Sequence, residues 1–341
     1  MSRIVIELTN RCNLSCGHCF DERHAATGDL PLEILKKVLR DGKSCGIEQM
    51  SFTGGEPTIH RRFEEIIDLV TQAGYPFSFV SNGASFPRIY RLLVERRSWF
   101  LGVTFSLDGA QQETHDRLRG KGSYRSVMRA ISICAFKQLP FTLNMVLTAE
   151  NRNEIEEMVE LAERLGSHGV RFGHLMPTSE TALRKLDLTP EQRREVESNI
   201  WRLIKSAPIP VGMAPGYFSE SPFFPCGPLE LEEYNLDYQG NLTLCCQLSG
   251  YSGPANYGAD VIGNLKEITL TEACECFRQR VTTYLADKRD KINRGEFSEL
   301  DHFPCWYCLK YLGKTRWLNN FPNHQWNAAN EIYSRETQRS C

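Results

Sequence analysis

The sequence predicts an α/β fold of six βα units around a parallel sheet, followed by a smaller α+β module. Two observations carry this. From residue 3 to about 206, short β-branched or aromatic runs alternate with amphipathic segments. Then six prolines, at 208, 210, 215, 222, 225 and 228, interrupt the pattern and mark a linker.

Taken in order, the strands are expected at Arg3 to Leu8, Gln49 to Phe52, Phe77 to Val80, Gly102 to Leu107, Phe141 to Leu147 and Val170 to His174. The connecting helices are expected near residues 31 to 44, 61 to 73, 86 to 97, 123 to 138 and 151 to 166. A further helix should run from Pro190 to Lys205, with Thr189 as its cap and Pro190 in its first position. The core thus spans 1–206 and the linker 207–225. The second module (226–310) begins with a hairpin, Glu233 to Asp237 and Asn241 to Cys245 about a Gln239-Gly240 turn. It continues with a glycine-rich loop (250–263), a helix near 266 to 287 and a Cys-x-x-Cys pair, and a tail covers 311–341.

Composition excludes several functions. With 40 basic and 42 acidic residues the net charge is -2, so no electrostatic footprint for nucleic acid or an anionic membrane is present. The longest apolar runs, such as Ile131 to Phe136, fall far short of the roughly 20 residues a membrane span needs. The N-terminus opens a strand and has no signal-peptide pattern, so a cytoplasmic protein is expected. In that reducing setting, 13 cysteines point to metal ligation rather than disulfides.

Cys12, Cys16 and Cys19 follow the first strand, on the rim where barrel-like α/β folds place their chemistry. Three thiolates this close satisfy three irons of a cubane cluster and leave the fourth open for a substrate. A zinc site or an electron-transfer cluster is the alternative on spacing alone. The second strand ends in Thr53-Gly54-Gly55-Glu56-Pro57, on the same rim. Its glycines let backbone approach a ligand, and Glu56 offers an acceptor to an ammonium group.

These two segments, at this separation, resemble the radical S-adenosylmethionine (SAM) superfamily. The resemblance implies a partial (β/α)6 TIM-like barrel over residues 1–206. It also implies a [4Fe–4S] cluster on Cys12, Cys16 and Cys19 whose open iron is chelated by SAM, and Gly54 to Pro57 as the receptor of the methionine amino group. One electron then breaks SAM to methionine and a 5′-deoxyadenosyl radical, which takes a substrate hydrogen atom. The same resemblance implies SAM contacts at Asn82, Ser106 and Asp108, at Asn144 and around Leu175. Arg119 is implied as the partner of the SAM carboxylate, with Arg117 the alternative, and His18, where many members carry Tyr or Phe, is implied against adenine. Local turn formation is the competing role for Asn82 and Asp108, since Asn-Gly and Asp-Gly are turn dipeptides.

The later cysteines resemble the twitch or SPASM modules that follow such cores. Cys226, Cys245, Cys305 and Cys308 are then the ligands of one auxiliary [4Fe–4S] cluster, and the fuller cysteine set of a two-cluster SPASM module is not found. A structural zinc is the alternative for a Cys-x-x-Cys pair. Cys246 is left either as a buried thiol or as a hydrogen-atom donor, as in related epimerases. Cys274 and Cys276 are substitutes whose helical spacing turns them to different sides. Cys45 and Cys134 read as core residues and Cys341 as an exposed terminal thiol.

Three functions follow. The resemblance favours an enzyme that crosslinks, epimerises or oxidises a peptide or protein. The second is a dehydrogenase or epimerase of a small molecule such as a sugar or aminocyclitol, and the third is a non-enzymatic iron-sulfur electron carrier. The first strand is expected to begin at residue 3, with no leader-binding domain before it, which weakens the peptide reading without excluding it, because a separate protein can bind the leader. An electron donor such as flavodoxin or ferredoxin is expected in either enzymatic case.

Overall fold

The computed structural model describes residues 2–20, 27–251 and 258–327, so Cys341, part of the glycine-rich loop and the end of the tail lie outside the described residues. Strands β1 (Ser2–Thr9), β2 (Ile47–Gly54), β3 (Phe77–Ser81), β4 (Phe100–Ser106), β5 (Phe141–Leu147) and β6 (Val170–His174) pair in parallel, each with the next. Between them run α1 (Leu32–Asp41), α2 (Phe63–Gln72), α3 (Phe86–Glu95), α4 (Gln112–Arg119), α5 (Ser123–Lys137) and α6 (Ile155–Arg164). After β6 come α7 (Ser179–Leu183) and α8 (Pro190–Ser206).

Alternation along the strands sorts the two faces. Ile4, Ile6, Phe52, Phe77, Phe79, Val103, Phe105, Leu143, Met145 and Phe172 join one core beneath the helices. Each such side chain contributes roughly 1.5–3 kcal/mol by leaving water. The intervening positions mix polar and apolar side chains: the hydroxyls of Thr104 and Thr142 lie 3.0 Å apart and Ser78 donates to Ser51 at 3.3 Å, beside Val5, Val80 and Val146.

The α8 start matches its sequence signal. Thr189 Oγ1 accepts from Gln192 N at 3.3 Å, Gln192 Oε1 accepts from Thr189 N at 3.0 Å, and Pro190 occupies the first position. The α4 helix was not expected, because its sequence, QETHDRLR, buries only Thr114, His115 and Leu118 and has little apolar periodicity.

The C-terminal part differs from a detached module. Strands β7 (Val211–Met213), within the expected linker, and β8 (Glu233–Leu236) pair in parallel with β6 and β1, and β9 (Asn241–Thr243) and β10 (Val261–Asn264) continue antiparallel. One ten-stranded sheet results, in the order β10-β9-β8-β1-β2-β3-β4-β5-β6-β7. Arg3 Nε donates to Glu233 Oε2 at 2.7 Å across the β1–β8 seam. Helices α9 (Leu270–Asn293) and α10 (Pro304–Tyr311) complete the unit, and Cys305 and Cys308 sit on α10 rather than on a turn because Pro304 starts a helix there. Buried Lys314 ties the following segment back, through Asp260 at 2.7 Å and Leu248 O at 3.0 Å. Among the described residues no helix is long and apolar enough to cross a membrane.

Candidate functional site

Cys12, Cys16 and Cys19 lie on the loop leaving β1, the first two half-buried and the third exposed. A turn from Cys19 N to Cys16 O (3.2 Å) shapes the loop, and Gly17 N docks it on Leu118 O at the end of α4 (2.9 Å). Asn82 Nδ2 stands 4.0 Å from Cys12 Sγ and donates to Asn13 Oδ1 at 2.9 Å. Arg119 Nη1 stands 4.0 Å from Cys16 Sγ. Burial pushes the Cys12 and Cys16 thiols up, and Arg119 pulls Cys16 back toward thiolate.

Among the described residues, no three His, Cys, Asp or Glu side chains converge on a single ion. A cubane cluster needs no such convergence, since each thiolate takes its own corner. Three thiols from one loop, with cationic and amide donors beside them, fit such a cluster.

Backbone stitches the glycine pair to this loop. Gly55 N donates to Thr9 O and Glu56 N to Arg11 O, each at 2.8 Å. The two glycines are explained by the chain's own backbone as much as by any ligand: a Cβ on Gly55 would lie 2.1 Å from Arg11 O, and one on Gly54 would lie 2.1 Å from Thr9 O.

Glu56 differs from expectation. Its carboxylate is 1% exposed and turned into the chain. Oε1 accepts from Thr58 Oγ1 (2.5 Å), Thr58 N (3.2 Å) and Ser81 Oγ (2.9 Å), and Oε2 accepts from Asn82 N (2.7 Å). Burial pushes its carboxyl up and these donors work against that push. Glu56 thus clamps the ends of β2 and β3 together. Pro57 opens the single 3-10 turn that Glu56 caps.

Asp108, Arg119 and His18 form one network instead of three separate ligand contacts. Asp108 is fully buried and pairs with Arg119 Nε, while His18 Nε2 lies 3.1 Å from its Oδ2 and Val146 N donates to its Oδ1 at 2.8 Å. Burial alone would raise the Asp108 carboxyl, but Arg119 and His18 hold it far below the usual carboxylate range. A buried carboxylate takes the nearest fixed cation because an unpaired one costs several kcal/mol. Arg117 points elsewhere, to Glu150 at 2.7 Å. Buried Ser106 and half-buried Asn144 are register partners on β4 and β5, and Leu175 packs with Leu118 and Leu186.

Thr58, Ser81, His115 and Asn151 support this rim without any motif to announce them. Asp108 N donates to His115 Nδ1 at 3.1 Å, and Asn151 Nδ2 donates to Asp108 O at 2.9 Å and to Val146 O at 2.8 Å. Burial lowers His115 to about 4 and His174, whose Nδ1 is buried without a partner, to about 3. Both are neutral when folded and protonate near 6.5 when unfolded, so their stabilisation is complete above pH 6.5 and is lost as pH falls toward 4. Urea midpoints are therefore expected to fall steeply from pH 6.5 to 4.5, and His115→Gln should flatten the slope. A slope identical in the variant would overturn the assignment to His115.

A second thiol group is drawn from the C-terminal part of the chain. Cys226, Cys305 and Cys308 are within electrostatic reach of one another, and Cys245 hydrogen-bonds Cys246 and also feels Cys305. Cys246 therefore stands among the four expected ligands, not apart from them. Cys305 and Cys308, three apart on α10, share a face near its N-terminus. Cys305 Sγ lies 3.3 Å from Pro215 O. Burial pushes Cys226 up to about 12, and Cys245, Cys305 and Cys308 also stand above their ordinary value. Cys274 is buried and Cys276 exposed, on different sides of α9. Cys45 and Cys134 are core residues.

Comparison with known proteins bears on the first site. The profile of the radical SAM superfamily matches residues 6–162. The mycofactocin maturase MftC of Mycobacterium tuberculosis is 28% identical over 209 residues, which are 60% of this chain and 53% of that protein. An AdoMet-dependent heme synthase of Methanosarcina barkeri is 32% identical over 182 residues, 51% of each. The chain thus spans about half the length of the curated relatives it matches. Among solved structures, Streptococcus suis SuiB bound to the precursor peptide SuiA shares the fold with a TM-score of 0.62 at 16% identity, over 80% of this chain and 64% of SuiB. The matched segment contains the cysteine loop, the glycine pair and the Asp108–Arg119 network: residues 6–162 of this chain match the radical SAM superfamily, whose members use SAM and a [4Fe–4S] cluster.

Proposed function

We propose that this chain is a radical SAM enzyme that abstracts a hydrogen atom from a peptide or protein, forming a crosslink, an epimerised residue or an oxidised side chain. The observation that carries the reading is the backbone stitching of the Gly54-Gly55-Glu56 segment to the Cys12–Cys19 loop, which places both motifs on one rim. Bound at that rim, a [4Fe–4S] cluster and SAM supply a 5′-deoxyadenosyl radical at the cost of one electron from a donor such as flavodoxin or ferredoxin. The chain's own residues hold the rest. Cys12, Cys16 and Cys19 bind three irons, Arg119 and Asn82 set the charge and hydrogen bonding beside the sulfurs, and Ser106 and Asn144 offer polar contacts on β4 and β5.

An auxiliary [4Fe–4S] cluster on Cys226, Cys245, Cys305 and Cys308 belongs to this reading, with Cys246 beside it either as a buried thiol or as a hydrogen-atom donor. Thiolate ligands of both clusters suit a reducing cytoplasm. The peptide class is supported by the relatives, among them a maturase and a structure holding a precursor peptide. A small-molecule substrate is the second reading, favoured by the similarity to a heme synthase.

The test is anaerobic incubation of the reconstituted protein with SAM and dithionite. Release of 5′-deoxyadenosine is expected, and none from protein with intact clusters would overturn the enzyme reading. For the substrate, a short peptide encoded beside this chain and co-expressed with it should lose hydrogen atoms or exchange them for deuterium. An unchanged peptide, with a sugar or aminocyclitol oxidised instead, moves the assignment to the second reading.

A further inference from the structure

Lys288 is a lysine in an unusual place. It lies on α9 with 3% exposure, its ammonium 4.3 Å from the Tyr307 ring and 5.5 Å from that of Phe297. Among the described residues it makes no hydrogen bond or ion pair. The carboxylate within its electrostatic reach, Asp301, is already taken: Oδ1 by Lys310 at 2.7 Å, and Oδ2 by Lys291 at 2.9 Å, Ser298 N at 3.0 Å and Ser298 Oγ at 2.9 Å. The other groups facing Lys288 are Cys308 and Cys226, with Lys291 as a second cation. One turn before it on the same helix, Tyr284 places its hydroxyl 3.1 Å from Cys308 Sγ.

An ammonium taken largely out of water is costly unless an anion faces it. Two aromatic faces return only part of that cost. The missing anion is supplied if Cys226 and Cys308 act as thiolates around a metal cluster, whose net charge with four thiolates is negative. We propose that Lys288 and Tyr284 are built to set the reduction potential of the auxiliary cluster, Lys288 by offsetting its negative charge and Tyr284 by donating a hydrogen bond to the Cys308 sulfur. This rests on the auxiliary-cluster reading. Both contributions favour the reduced state, because an added electron raises the negative charge that they stabilise, and the potentials of such clusters follow net charge and hydrogen bonds to sulfur. The auxiliary cluster would then be an electron acceptor tuned upward.

The experiment is a redox titration of the reconstituted full chain, read by electron paramagnetic resonance with dithionite as reductant. The unmutated protein first tests the cluster: about eight irons and a signal that SAM does not perturb are expected, and about four irons with only a SAM-responsive signal would overturn the auxiliary reading and this inference with it. Lys288→Met should then lower the potential of the SAM-insensitive signal by about 59 mV, a tenfold loss of reduced cluster at fixed potential. Lys288→Arg should stay near the parent, and Tyr284→Phe should shift the potential in the same direction by less. The SAM-responsive signal serves as the internal reference and should not move. With the cluster present, equal potentials in Lys288→Met and Lys288→Arg, or both signals moving together, would overturn the inference. If Lys288→Met fails to assemble, Tyr284→Phe decides: an unshifted potential there overturns it.

Discussion

Asp108→Ala is expected to destabilise the protein by about 3–5 kcal/mol, because it leaves the buried Arg119 guanidinium without its carboxylate. The Arg119 side chain is 11% exposed and Asp108 is fully buried, so water cannot take over the lost carboxylate. The same deletion frees His18 and the Val146 amide, loosening the loop that carries Cys16 through the Gly17–Leu118 contact. Asp108→Asn preserves shape and one acceptor and should cost less. The measurement is urea unfolding of Asp108→Ala, Arg119→Ala and the double variant. The double variant should be less destabilised than the sum of the singles by at least about 1 kcal/mol, the coupling of residues in one network. Simple additivity would show that the pair does not act as a unit.

That network also marks where sequence reasoning stopped. The strands and most helices were legible because each carries its own local period: Phe141 to Leu147 alternates buried and half-buried residues along its whole length, and Thr189-Pro190 announces a helix start. The β1–β8 pairing was not legible, since it joins residues about 230 positions apart and no local pattern encodes a parallel partner. The cysteine loop and the glycine pair were legible as motifs, but the duties of Glu56, Asp108 and Arg119 were not. Each was assigned to a ligand as a charged group on the rim, whereas a charge buried this deeply is first claimed by its own chain. Lys288 escaped for a related reason: on the sequence it is one lysine in a charged helix, and only burial beside Cys308 distinguishes it.

The glycine pair gives the second large expected effect, a loss of cluster chemistry from a single methyl group. In Gly55→Ala the new Cβ would stand 2.1 Å from Arg11 O, 2.5 Å from Arg11 C and 2.8 Å from Asn10 O. All three atoms are backbone, so relief requires moving residues 10 and 11, the segment that delivers Cys12. Strain is not the cause, because Gly55 does not have the positive φ of its neighbour Gly54 (135°). Gly120 and Gly122 provide the contrast, at φ of 107° and 86° with open space around a Cβ. Alanine there should cost about 1–3 kcal/mol of backbone strain and leave iron content and 5′-deoxyadenosine release within roughly threefold of the parent, an energy difference under 1 kcal/mol. Gly55→Ala is expected to lose the SAM-responsive cluster signal and at least about a hundredfold of 5′-deoxyadenosine release, some 2.7 kcal/mol or more in the barrier, while the auxiliary signal persists. If Gly55→Ala instead matches the Gly120 and Gly122 variants, the two segments are not held together by this close approach, and the glycines serve the ligand rather than the chain.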